Sequence, residues 1–278
     1  MSVPEGVPPG AGREASHRLH LRDLALAWPL AKRDVLARYR GSLGGLAWAL
    51  LGPLAMVAVY TLVFRGVFNA RWGVGDAAES GFSYVTRLFA GLLVFQAVTE
   101  VANRAARLMQ DNANLVKRVV FPLELLAVAL LLQVGVHTAL QAGVLTVLLL
   151  VFGEGARWSW LLLPLAAAWL LLLQFTLALA LSALGTYLRD VQHVVAMAMT
   201  GLLFLSPVLY PADAAPPVLK TLLVLNPLTA PIELARAAWF GGPVDGGLLA
   251  AQGAALLLAA GLSHWVFHRL RPGFADLV

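Results

Sequence analysis

Gln133, His137 and Gln141 recur at four-residue spacing within one long apolar stretch, so they share one face of a helix. An imidazole between two amides offers a proton relay or a ligand site inside a membrane. It equally offers a hydrogen-bond zipper between helices. Ser182 and Ser206, with His137 or His193 as base, are the residue types of an intramembrane hydrolase. Small hydroxyl residues are also common where membrane helices touch, and that packing role is the preferred reading. Glu100, Glu124 and Asp190 fall at the ends of apolar stretches, so no carboxylate pair lies where a proton- or sodium-coupled carrier needs one. No GxxxxGK[ST] loop, HExxH, GxSxG or EF-hand pattern occurs, and there is no cysteine. The chain therefore reads as a non-enzyme that binds no cofactor of its own.

The elements that carry these residues follow from composition. Hydrophobic residues make up 60% of the chain and charged residues 13%. A soluble domain carries roughly 25% charged residues, so the bilayer is the natural solvent for this one. The formal charge of +5 is spread between apolar runs, which points to membrane topology and membrane lipids, not to nucleic acid. A spanning helix needs roughly 20 apolar residues. Spans are accordingly expected at about 45–68, 82–100, 125–152, 160–187, 191–210 and 247–267. The fold class is an all-α integral membrane protein of six transmembrane helices, forming one domain over 21–278.

Three segments stand apart from the spans. Residues 1–20 are rich in Pro and Gly without an apolar core and read as a disordered tail. Residues 21–41 place Leu24, Trp28, Ala31, Val35 and Tyr39 at helical spacing, an amphipathic interfacial helix kinked or restarted at Pro29. The stretch from Ser206 to Pro243 holds seven of the fifteen prolines and two apolar pieces split by Asn226-Pro227, each too short to span. It is read as a re-entrant or interfacial helical hairpin, about 212–243, before the last span.

Residues 101–124 form the main polar interruption. Arg104, Arg107, Lys117 and Arg118 would together cost on the order of 10 kcal/mol at the bilayer centre, so this is an aqueous loop. Fourteen of the twenty Lys and Arg residues fall on the side of the termini and this loop, and six on the other. The excess of positive charge inside places both termini in the cytoplasm and the hairpin outside.

Four blocks in chain order resemble the membrane subunits of ATP-binding-cassette exporters of O-antigen, capsular polysaccharide or teichoic acid. RDVLARYRGSLGGLAWALLGPL carries Arg38, Tyr39, Ser42, Gly45, Trp48, Pro53 and Leu54 of that pattern. NANLVKRVVFPLELL carries Asn114, Lys117, Phe121 and Pro122, and YLRDVQHVV carries Tyr187, Arg189 and Asp190. SPVLYP with LNPLTAPIELAR carries Ser206, Pro207, Pro211, Asn226, Pro227 and Arg236. Gly44 departs from the pattern where a larger apolar residue is expected. The resemblance covers about residue 22 to the C-terminus.

The resemblance implies a homodimer in the bacterial cytoplasmic membrane with two copies of a separate ATPase subunit, which would hold ATP and Mg. A lipid-linked glycan would pass between the two membrane subunits. Arg38, Tyr39, Asn112, Asn114, Lys117 and Arg118 would then face the ATPases, although the basic pair also serves topology. Tyr60, Phe64 and Phe68 lie four apart on one face with Trp72 beyond, a stripe on which sugar faces could slide. Trp239 and Phe240 would seal the exit or anchor at the headgroups, where aromatic residues collect in any case. The alternative cargo is another lipid, a drug or a peptide. A membrane-embedded sugar transferase would need acidic pairs or basic clusters in an aqueous site, and an anchor would not need six spans.

Overall fold

The computed structural model describes residues 21–39, 47–60, 62–63, 81–117, 121–153 and 155–278. The tail 1–20, the start of the first span at 45, Phe64, Phe68, Trp72 and Arg118 lie outside them. Among the described residues there is no strand. The helices are α1 (Leu21–Tyr39), α2 (Trp48–Tyr60), α3 (Gly81–Ala105), α4 (Leu108–Asp111), α5 (Ala113–Val116), α6 (Glu124–Phe152) and α7 (Leu163–Tyr187). A short 3₁₀ turn, Trp158–Leu162, leads into α7. There follow α8 (Val191–Leu205), α9 (Pro217–Leu225), α10 (Thr229–Phe240), α11 (Gly246–Leu270) and α12 (Phe274–Leu277).

Among the described residues four helical segments are long and apolar enough to cross a membrane: Phe82–Ala105, Glu124–Phe152, Trp158–Tyr187 and Gly246–Leu277. They coincide with four of the six spans expected from sequence. The other two differ. The described part of the first is the 13 residues of α2, and α8 is an apolar helix of 15 residues. At 1.5 Å per residue α8 covers roughly 22 Å, short of a 30 Å hydrocarbon core. It stops at Leu205 because Pro207 forces Ser206 out of the helical region, to φ −106°, ψ 154°.

The spans are not equivalent. In α3, 78% of the most apolar window is buried inside the protein, against 22% in α6, 33% in the segment containing α7 and 11% in that containing α11. Helix α3 is therefore the central post, with α6, α7 and α10 packed around it. Leu88, Leu92, Val98, Val101 and Ala102 of α3 face neighbours all round. Helix α11 leans on the outer side of α7. A helix apolar on every face is what a membrane span reads like in sequence, and only tertiary packing separates the post from the lipid-facing ring.

Of the expected apolar face of α1, Ala31 is buried and Trp28 is exposed. The helix runs without a break through Pro29, packs on α6 and buries Ala27 against Leu125 and Ala129, and Ala31 one turn on is buried as well. Trp28 and Leu36, at 52% and 57% exposure, point away from the bundle. Two alanines one turn apart let the helices approach closely, which the bulkier Trp28 face would prevent.

Candidate functional site

Both ends of the bundle concentrate polar side chains on backbone groups. At one end the α9–α10 pair is bent by 95° at a break of a few residues. The break follows from Pro227, which holds Asn226 at φ −79°, ψ 116° and so ends α9. Its backbone groups would be orphaned in a low-dielectric setting, and side chains from elsewhere take them up. Gln252 of α11 donates through Nε2 to the carbonyls of Val224 (2.8 Å), Asn226 (3.0 Å) and Leu223 (3.3 Å). Its Oε1 accepts from the amide of Ala230 at 3.0 Å. Asn226 Nδ2 donates to Ser206 Oγ at 2.8 Å and the Leu205 carbonyl at 3.1 Å, while its Oδ1 accepts from the amide of Leu228 at 2.9 Å. One amide side chain thus bridges both halves of the break, and another ties it to the end of α8.

Arg236 of α10 fastens the same unit to the post. It is 5% exposed, and its guanidinium donates to the carbonyls of Arg87 in α3 (3.2 Å), Val208 (2.7 Å) and Pro207. Glu233 Oε1 lies 3.0 Å from Nη1 and supplies the countercharge. A planar fork of five donors suits three carbonyls converging from two elements. The end of α10 is held likewise: Arg157 donates to the Phe240 carbonyl at 2.9 Å and Trp160 Nε1 to that of Trp239 at 3.1 Å. Gly241 follows at φ 73°, where a glycine ends the helix without strain. In the linker, the Tyr210 hydroxyl donates to the Phe204 carbonyl at 3.1 Å.

At the opposite end, α4 and α5 form a compact turn after α3. Gln110 donates to the Gly185 carbonyl of α7 at 3.0 Å, and a Cβ on Gly185 would lie 2.0 Å from the Ala106 carbonyl oxygen. The two backbones therefore touch, which only glycine permits. A cleft of about 160 Å³ runs between α1 and this turn, lined by Arg33 and Asp34 of α1, Arg104 of α3, and Asp111 and Asn112. Its ion pairs, Arg33–Asp34, Arg104–Glu100 and Arg107–Asp111, are local and partly exposed.

The predicted site residues separate accordingly. Asn112 is half-buried, donates to the Leu108 carbonyl at 2.9 Å and lines the cleft, whereas Asn114 and Lys117 are exposed beside it. Arg38 and Tyr39 close α1. Tyr60 ends α2 and packs against the main core. Trp239 is buried at 6% exposure, with Nε1 directed at Thr146 Oγ1 (3.3 Å), so within this chain it is a packing residue of the core. Phe240 is half-buried under the Arg87 guanidinium, 5.0 Å from its ring centre.

Of the polar stripe, Gln133 and His137 are buried and Gln141 is half-buried. Ser182 donates to the Leu179 carbonyl and Ser206 accepts from Asn226, so each serves the backbone framework. Sequence reasoning assigned no role to Gln252, Arg157 or Trp160. The signal for Gln252 was present as a lone amide in an otherwise apolar span.

Several proteins are similar to this chain over nearly its whole length. An O-antigen export system permease protein, RfbA, of Myxococcus xanthus is 28% identical over 257 residues, covering 90% of this chain and 94% of the relative. The RfbA permease protein of Klebsiella pneumoniae is 24% identical over 253 residues, with 90% and 93% covered. A polysialic acid transport protein of Escherichia coli, KpsM, is 24% identical over 220 residues, with 78% and 81% covered. The pattern of the ABC-2 type transporter family matches residues 26–240, from the buried seam of α1 to the end of α10. The chain is a multi-pass membrane protein and belongs to the ABC-2 type transporter family.

Proposed function

We propose that this chain is the channel-forming subunit of an exporter that moves a lipid-linked polysaccharide across the bacterial cytoplasmic membrane. ATP and Mg are held by a separate subunit, present in two copies. The relatives named for O-antigen export and polysialic acid transport support the cargo class. The observation that carries the channel reading is α8. Among its fifteen residues Val195 alone is buried, while Val194, Met197, Phe204 and Leu205 are exposed. Helix α2 is likewise exposed at Trp48, Leu51, Met56 and Val59. Two poorly covered helices beside a well-packed post suit a second copy of the chain, with the glycan path between the copies.

In this reading the α9–α10 pair is the external re-entrant hairpin, both termini are cytoplasmic, and Asn114 and Lys117 meet the ATPase. The aromatic stripe from Tyr60 onward lines the path. Depleting the protein in its host and locating finished surface polysaccharide by compartment tests the function. Completed polymer is expected to accumulate inside the cell. Normal surface polymer would turn the assignment toward a lipid, drug or peptide cargo.

A further inference from the structure

The chain does not trail away after α11. It turns at Arg271–Gly273 and returns to the bundle as α12. Phe274 is fully buried, edge-on to Phe267 at 5.4 Å and to Tyr187 of α7 at 6.1 Å. The Tyr187 hydroxyl donates to the Leu270 carbonyl at 2.9 Å. It lies so close to Gly273 that a Cβ there would come within 2.2 Å of it. Helix α12 rests against both α7 and α5. The α4–α5 turn is thus held between the end of α7, through Gln110 and Gly185, and the returning C-terminal segment.

The ionic half of this arrangement is Glu124, the first residue of α6 and 1% exposed. Among the described residues, the cation within 4 Å of its carboxylate is Arg271, with Nη1 at 3.2 Å, and the His268 imidazole Nε2 lies at 3.4 Å. Its Oε2 has no hydrogen-bond partner among the described residues. A buried carboxylate stripped of its cation is strongly destabilising. The segment that ends the α4–α5 loop is therefore tied to the C-terminal residues as well as to the post.

We propose that Leu270–Leu277 is a clamp that sets the position of the α4–α5 turn, with Arg271 and Phe274 as its positioning residues. Its role in transport rests on the reading above, in which Asn114 and Lys117 on that turn meet the ATPase. Without the clamp the turn keeps the Gln110 tie but loses its second wall. It then opens locally while the spans stay folded.

The test is hydrogen exchange of peptides covering 106–117 in the full-length protein, reconstituted with its ATPase partner in lipid nanodiscs. Polymer-stimulated ATPase activity is measured on the same samples. In R271M and F274A, exchange of this segment is expected to rise about tenfold, equivalent to roughly 1.4 kcal/mol of local opening. Exchange in α3 and α7 should be unchanged, and stimulated ATPase activity should fall several-fold with basal activity retained. E124Q combined with R271M removes both charges and should restore slow exchange. F274L, which keeps an apolar plug, should remain near wild type and guards against a fold-wide effect of F274A. Unchanged exchange at 106–117 in both R271M and F274A overturns the clamp. Faster exchange with unchanged stimulated ATPase leaves the clamp standing and overturns the coupling role of the turn.

Discussion

The two ends of this bundle solve the same problem with different chemistry. At the α9–α10 end the backbone is broken, and long polar side chains on α10 and α11 reach across to satisfy it: Arg236 on three carbonyls, Gln252 on three carbonyls and an amide. At the α4–α5 end contact is made by absence of side chain at Gly185 and by a returning tail with one buried ion pair. The first end behaves as a rigid knot in which removal of one side chain orphans several groups at once. The second is assembled from separate pieces, so its failures should be local.

The largest effect should come from Arg236→Met. It leaves the Pro207 and Val208 carbonyls of the linker without their side-chain donor in a buried setting, at about 1–3 kcal/mol for each orphaned group, and unties Arg87 of α3. Loss of the monodisperse peak on heating in detergent, well below the wild-type temperature, is the expected reading. Arg236→Lys should recover little, because one ammonium cannot serve three divergent carbonyls. A fully stable Arg236→Met protein would show that the knot is dispensable.

Gly185→Ala should come next. The new Cβ meets the Ala106 carbonyl, so α3 and α7 must part, costing about 1–3 kcal/mol. Thermal unfolding would report the loss, and hydrogen exchange should locate it in the α4–α5 turn alone. Spread of the change to α9–α10 would erase the contrast between the ends.

Gln252→Leu and Gln252→Glu sharpen the description of the knot. Both remove the Nε2 donor from the α9 carbonyls, and each should cost roughly 1–3 kcal/mol. If Gln252→Glu were as stable as wild type, the acceptor side toward Ala230 would be the part that matters. The smallest effect belongs to Arg107→Ala, which removes an ion pair to Asp111 with both side chains more than half exposed. Exposed pairs contribute about 0–1 kcal/mol, so the unfolding temperature should barely move.

Four spans, the end of the second one near residue 100, which the helix passes by five residues to Ala105, and the break at Asn226-Pro227 were legible in the sequence. Each rests on a local rule: long apolar runs exclude water, clustered charges exclude lipid, and a proline denies its predecessor the helical region. Arg236 was visible as a residue of the resemblance but carried no role, since its carbonyl partners lie 149 and about 30 positions away in the chain. In α1 the helical spacing put Trp28 and Ala31 on one apolar face, of which Ala31 is buried in the bundle and Trp28 is exposed. The contact with α6 runs through Ala27, which the spacing did not single out.

By itself the sequence determined that this protein lives in a bilayer, roughly where its helices begin and end, and which residue types stand at its polar breaks. Those properties follow from transfer free energies and backbone sterics acting over a few neighbouring residues. Tertiary structure alone decided that α3 is the buried post, that Gln252 and Arg236 close a broken helix, and that the C-terminal segment returns to Glu124. These depend on which apolar face meets protein and which meets lipid. In a span apolar on every side, no periodicity records that choice, and only the packed neighbours make it.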